Sequence, residues 1–145
     1  MKDYHPYVFD SENRQFVGKF DEMYQAENKA GFDSWHQEDL RHLTKKICHS
    51  ILHEYNFSTV LDIGCGKGAN TQFLKKKNNT VIGIDISQTA IDKALGRFPD
   101  ILFSCNDIES DQFTLNTFIK EKFEIDKVEL IVCLEVLSYI KNWQN

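Results

Sequence analysis

Apolar residues change their spacing near position 57. Before it, Phe16, Val17, Phe20, Met23 and Tyr24 recur at helical intervals and predict one amphipathic helix. Ala30-Gly31-Phe32-Asp33 interrupts that stripe. Ser34-Trp35-His36-Gln37 then fits a capping box, with Ser34 as N-cap and Gln37 reaching back. The helix it opens carries Leu40, Leu43, Ile47, Ile51 and Leu52 on one face and stops near Asn56. After it, short apolar runs alternate with helical segments. Strands are expected over 59–63, 80–84, 101–105 and 128–134, and helices over 69–77, 89–98, 113–123 and 136–143.

Such alternation implies an α/β fold with parallel strands, right-handed crossovers and helices on both sheet faces. Val81-Ile82-Gly83-Ile84 and Leu130-Ile131-Val132-Cys133 suit strands buried on both sides. Two regions are expected, a helical N-terminal extension over 1–56 and an α/β unit over 57–145. Ligands of such sheets bind beyond the strand C-termini, so the residues ending each strand are the ones to weigh.

Composition narrows the class. With 145 residues, 41% apolar and 27% charged, the chain is neither disordered, collagenous nor membrane-embedded. Its 17 basic and 22 acidic residues leave a net charge of −5, which argues against nucleic acid as a partner. Cys48, Cys65, Cys105 and Cys133 form no CxxC pair and read as small buried hydrophobes in a reducing cytosol. Met1-Lys2-Asp3-Tyr4-His5-Pro6 lacks the apolar core of a signal peptide, and no window suits a membrane span. The expected location is cytoplasmic.

The strongest chemical signal follows the first strand of the α/β unit. Leu61-Asp62-Ile63-Gly64-Cys65-Gly66-Lys67-Gly68-Ala69 places glycines where a strand turns into a helix, which lets a ligand approach the main chain. Asp85 ends the next strand 21 residues after Gly64 and can accept two hydrogen bonds from a ribose. Two ligand classes compete for this crevice. Gly64-x-Gly66-x-x-Ala69 satisfies the dinucleotide fingerprint, with Asp85 at the right distance. Asp62, however, would set a carboxylate beside the pyrophosphate. A cationic nucleoside such as S-adenosylmethionine, with a sulfonium, an ammonium and no phosphate, fits that charge better.

Val60-Leu-Asp-Ile-Gly-Cys-Gly-Lys-Gly68 resembles the first motif of class I S-adenosylmethionine-dependent methyltransferases, and the resemblance runs from about Ser58 to the chain end. It implies a Rossmann-like three-layer sandwich with strand order 3-2-1-4, the family's remaining strands being absent. A C-terminally truncated chain is therefore expected. Asp62, Gly64, Cys65, Gly66 and Gly68 match the loop that holds the cofactor, and Asp85 matches the ribose-binding acid. Asn106-Asp107-Ile108 matches the adenine segment, with Asp107 accepting from the amino group, the Ile108 backbone meeting a ring nitrogen and Ile86 packing on the adenine face. The stretch Leu130 to Ile140 is similar to the fourth motif, where Cys133, Leu134 and Glu135 would line the methionine end. Relatives often carry His near the position of Tyr139.

The resemblance also implies a lid from the N-terminal extension, with Tyr24 and Trp35 covering the cofactor and Phe32 nearby. The expected activity is methyl transfer from S-adenosyl-L-methionine, yielding S-adenosyl-L-homocysteine, to an O, N or C nucleophile of a small molecule. The alternative is a non-catalytic S-adenosylmethionine-binding or regulatory fragment. No general base is identified. His49 and His53 have ligand spacing, but there is no HExxH and no metal site is expected, so His42, His49 and His53 read as an exposed helix face. The apolar fourth strand would be a bare edge, covered by a partner, a second copy of the chain or the N-terminal region.

Overall fold

The computed structural model describes residues 3–39 and 41–140. The N-terminal part holds α1 (His5–Val8), a hairpin of β1 (Phe9–Asp10) and β2 (Gln15–Phe16), α2 (Phe20–Ala30), a 3-10 turn (Ser34–His36) and α3 (Leu43–His53). Then follow β3 (Thr59–Ile63), α4 (Thr71–Leu74), β4 (Thr80–Asp85), α5 (Gln88–Arg97), β5 (Leu102–Cys105), α6 (Leu115–Phe123), β6 (Leu130–Val132) and a 3-10 turn (Leu137–Tyr139). The four long-range strands form one parallel sheet in the order β5-β4-β3-β6, which is the expected 3-2-1-4. Alternate strand residues face opposite layers. Val60 and Val81 join Leu74, Ile91, Ala94 and Phe103 on the α4–α5 face. Leu61, Ile82 and Ile84 meet Ile119, Leu115 and Phe118 of α6 on the other.

The N-terminal part departs from its periodicity. The Asp10 carboxylate accepts the Glu12 and Asn13 N–H groups at 3.0 Å, which fixes a turn and puts Phe16 in a strand. Only Phe20, Met23 and Tyr24 of the expected stripe are helical, and α2 ends at Gly31 in the left-handed conformation. Ser34 is no cap: Trp35 and His36 have φ of 58° and 49°, which breaks the chain into a single turn. Helix α3 starts only at Leu43 and is rolled over. Leu43, Ile47 and Ile51 are exposed, Leu52 reaches the core, and its one buried residue is Lys45. Leu40 lies outside the described residues.

Other boundaries shrink. The helix expected over 69–77 is a single turn at α4, because Lys75 and Lys76 fold back onto main-chain carbonyls of Asn79, His53 and Tyr55. The strand expected over 128–134 pairs only through Leu130–Val132, and β6 forms one edge of the sheet with Ile131 exposed. After it comes one 3-10 turn rather than a helix from 136, and the end of that expected helix lies outside the described residues. His49 is not on a free face; it stacks on Phe73 with ring centres 4.2 Å apart. Among the described residues, no helix is long and apolar enough to cross a membrane.

Leu61 is fully buried at the centre of β3. Leu61→Ala should lower unfolding stability by about 2–5 kcal/mol, read from the urea midpoint at unchanged slope.

Candidate functional site

A cavity of about 410 Å³ opens over the C-terminal ends of β3, β4 and β5. Asp62, Gly64, Cys65, Asp85, Ile86, Asn106, Asp107, Ile108, Leu134, Tyr24 and Trp35 all line it, so eleven of the fourteen residues singled out from the sequence converge there. Gly66, Gly68 and Cys133 are not in its lining. Gly66 lies under the N-terminal part: a Cβ there would sit 2.2 Å from Gln37 Nε2 and 2.7 Å from the Tyr24 hydroxyl. Gly68 faces the interior, where a Cβ would come within 2.8 Å of the Phe103 ring. Cys133 is half-buried, and burial raises its thiol pKa.

Two carboxylates set the electrostatics. Asp62 is buried, and its Oδ2 accepts the Thr71 hydroxyl at 2.7 Å. Burial, only partly offset by that hydrogen bond, pushes its pKa up to about 7. The Asp85 carboxylate accepts the Gly66 N–H at 2.8 Å and the Ser87 N–H at 2.9 Å. It thereby ties the glycine loop to the end of β4. Burial raises its pKa against these donors. Asp107 is capped locally by the Glu109 N–H at 2.9 Å, and Asn106 Oδ1 accepts the Ser104 hydroxyl at 2.9 Å.

The N-terminal part is locked over the loop by groups no motif announced. Glu27 is buried; its Oε1 meets Lys67 Nζ at 2.7 Å and its Oε2 meets Lys93 Nζ at 2.8 Å. Burial alone would raise the Glu27 pKa, yet the two lysines hold it below its ordinary value. Lys67 also pairs with Asp33 at 2.9 Å. Asp21 accepts from the Ser87 hydroxyl and the Thr89 N–H, at 2.7 and 2.8 Å. Gln37, far from reaching back as a cap, donates to the Tyr24 hydroxyl at 2.7 Å and accepts the Lys67 N–H at 2.8 Å. Tyr24 is buried beneath this bridge.

Aromatic rings close one wall. Trp35 and Tyr139 are 5.0 Å apart between ring centres, and Phe20 lies 6.0 Å from Tyr139 and from Phe16. Phe32 belongs to the same aromatic cluster without lining the cavity. Glu135 lines the cavity with φ of 59°, and its carboxylate lies 3.8 Å from His42 Nδ1. Sequence reasoning missed Phe16, Lys45 and Asn70 in the lining. For Phe16 the signal was present but was assigned to a helix. For Lys45 and Asn70 there was none, since a polar side chain that lines a cavity stands out from its neighbours only once the chain is folded. Among the described residues, no cluster of three His, Cys, Asp or Glu suits a metal ion.

Residues 61–145 match the family described as a methyltransferase domain. Protein 235L of Invertebrate iridescent virus 6 is 31% identical over 108 residues, covering 73% of this chain and 37% of its own length. The ubiquinone biosynthesis O-methyltransferase of Coxiella burnetii (strain RSA 493 / Nine Mile phase I) is 33% identical over 89 residues, or 59% of this chain and 34% of that protein. The chain thus spans about a third of the length of these curated relatives. A TehB-like SAM-dependent methyltransferase from Corynebacterium glutamicum has the same fold, with a TM-score of 0.50 at 21% identity over 76% of this chain and 61% of that one.

The raised Asp62 pKa has a definite sign. In the unfolded chain the carboxyl ionises near its ordinary value of 3.8, whereas in the folded protein it ionises at about 7. This group's contribution therefore falls as pH rises from about 4 to about 7 and is flat above, by up to roughly 4 kcal/mol. Urea unfolding across that range should show Asp62→Asn gaining on the parent protein as pH rises. A constant difference between the two would refute the assignment.

Proposed function

The chain belongs to the class I S-adenosylmethionine-dependent methyltransferases, and on that premise we propose that it transfers a methyl group to an oxygen, nitrogen or carbon nucleophile of a small molecule. One observation carries the reading. Carboxylates at or beside the ends of three neighbouring strands, Asp62, Asp85 and Asp107, line one cavity, whose lining among the described residues contains no arginine and one lysine. Such a lining favours a cationic nucleoside over a pyrophosphate. It answers the choice between the two ligand classes in favour of S-adenosylmethionine.

The residues fit that cofactor. Asp85, already holding the Gly66 and Ser87 amides, has lone pairs left for ribose hydroxyls. Ile86 is half-exposed beside it and offers an apolar surface to adenine, with Asp107 and Ile108 at the ring edge. Asp62 lies at the base of the loop, and its carboxyl, half-ionised near neutral pH, would gain its charge beside a bound cation. Bound S-adenosylmethionine supplies a methyl group already activated by its sulfonium. What remains for the protein is to position the nucleophile and exclude water. Trp35, Phe20, Phe16 and Tyr139 provide an apolar wall for that purpose, and ring faces also favour a neighbouring cation. A base is needed only for a nucleophile that must first lose a proton. The net charge of −5 agrees with a small acceptor rather than a nucleic acid.

Calorimetric titration with S-adenosylhomocysteine tests the proposal. We expect saturable binding, weakened about 10-fold or more in Asp85→Ala, and no binding of NADH. Binding of NADH in place of S-adenosylhomocysteine would overturn it.

A further inference from the structure

Helix α3 points its aliphatic residues away from the protein. Leu43, Ile47 and Ile51 are 70%, 50% and 55% exposed, whereas Lys45 is buried and Leu52 packs on the core. Their spacing of four sets the three in one stripe, about 12 Å long, on a single helix face. Apolar residues scattered singly over a surface are ordinary; a continuous row of them marks an interaction surface. The charges beside the stripe are unused as well. Lys46 and Glu54 are exposed, and among the described residues neither side chain forms an ion pair or a hydrogen bond.

The stripe adjoins the open edge of the sheet. His42, at the start of α3, has its Nδ1 3.8 Å from the Glu135 carboxylate, just past β6. Ser58, beyond the end of α3, donates its N–H to Glu129 Oε2 at 2.7 Å, just before β6. The helix therefore runs antiparallel to β6, and Leu52 shares a core cluster with Leu130 and Val132. In the order β5-β4-β3-β6 the last strand has one neighbour, so a row of its N–H and C=O groups lacks a partner strand among the described residues. Leu130, Ile131 and Val132 bring neither charge nor proline to that edge. Ile131, paired with Leu61, faces the other layer and is 52% exposed.

We propose that α3 and β6 together dock a second copy of this chain about a two-fold axis normal to the sheet. Such an axis sets β6 antiparallel to β6 of the other copy and joins the two four-stranded sheets into one. It also lays the two α3 helices side by side on one sheet face, antiparallel to each other. The charge pattern selects this arrangement. With the axis beside His49 and Ser50, Ile47 of each copy meets Ile51 of the other, and Lys46 faces Glu54 of the other copy. Parallel helices would set Lys46 against Lys46 and Glu54 against Glu54. The contact uses the same patch on both copies, closes on itself and leaves β6 with no free edge.

Sedimentation equilibrium of the full chain tests the proposal. We expect a monomer–dimer equilibrium that follows protein concentration. Ile47→Glu sets a carboxylate in the apolar stripe and should weaken the dimer about 10-fold or more. Lys46→Glu and Glu54→Lys should each weaken it about 3- to 10-fold, and the double reversal should restore the parent association constant. All three side chains are exposed in the single copy, so the urea midpoints of the variants, measured at a concentration where the parent is monomeric, should stay close to the parent value. A chain that remains monomeric at every concentration leaves this face to a different polypeptide and overturns the proposal. A dimer indifferent to Ile47→Glu uses another surface. A dimer in which the double reversal associates no better than either single variant lacks the antiparallel pairing. Either of these results overturns the proposal as well.

Discussion

The buried carboxylate of Glu27 holds the two halves of this protein in register. It sits between Lys67, on the glycine loop, and Lys93, on α5, and its Oε1 also accepts the Ser34 N–H at 2.9 Å. A charge in that position is tolerable only when every partner is in place. Removing one would strand the others away from water. The cover over the cavity, the aromatic wall and the placement of α3 all depend on this junction, which links residues 40 positions apart in the chain.

That separation explains which parts of the structure were legible in the sequence. The sheet was readable because each of its strands is a local event: Val81 to Ile84 is apolar throughout, and the glycines after Ile63 can only be a turn. Asp62 and Asp85 were legible from their places at the ends of the first two strands, whereas the strand order and the role of Asp107 followed from the resemblance that those local features carried. The N-terminal part was misread because its stripe of Phe16, Phe20 and Tyr24 mixes a hairpin with a helix. The hairpin is set by Asp10, a single polar side chain, and the break before the helix falls at Gly18, whose φ is 67°. Gln37 has the right spacing for a helix cap, yet its amide serves Tyr24 and Lys67 instead. Periodicity does not report which distant group will satisfy a polar atom.

The cavity shows the same division. Residues on strand ends were found because topology alone directs ligands there. Lys45 and Asn70 were not, because neither lies on a strand and nothing in the local sequence marks either as lining a cavity. That the buried Asn70 side-chain oxygen has no donor among the described residues is a property of the folded surface, visible only after every other hydrogen bond has been assigned.

The glycines of the loop have a consequence for how such a site is dissected. A methyl group at Gly64 would strike Val136 at 2.2 Å, one at Gly66 would strike Gln37, and one at Gly68 would strike Phe103. All three collisions are with the protein's own side chains. Replacing a loop glycine, the customary way to disable a nucleotide pocket, would here displace the cover, the segment after β6 or the helix–sheet packing before any ligand arrived. Loss of binding in such a variant would diagnose a disturbed scaffold, and the chemistry of recognition is better interrogated through the side chains that point inward.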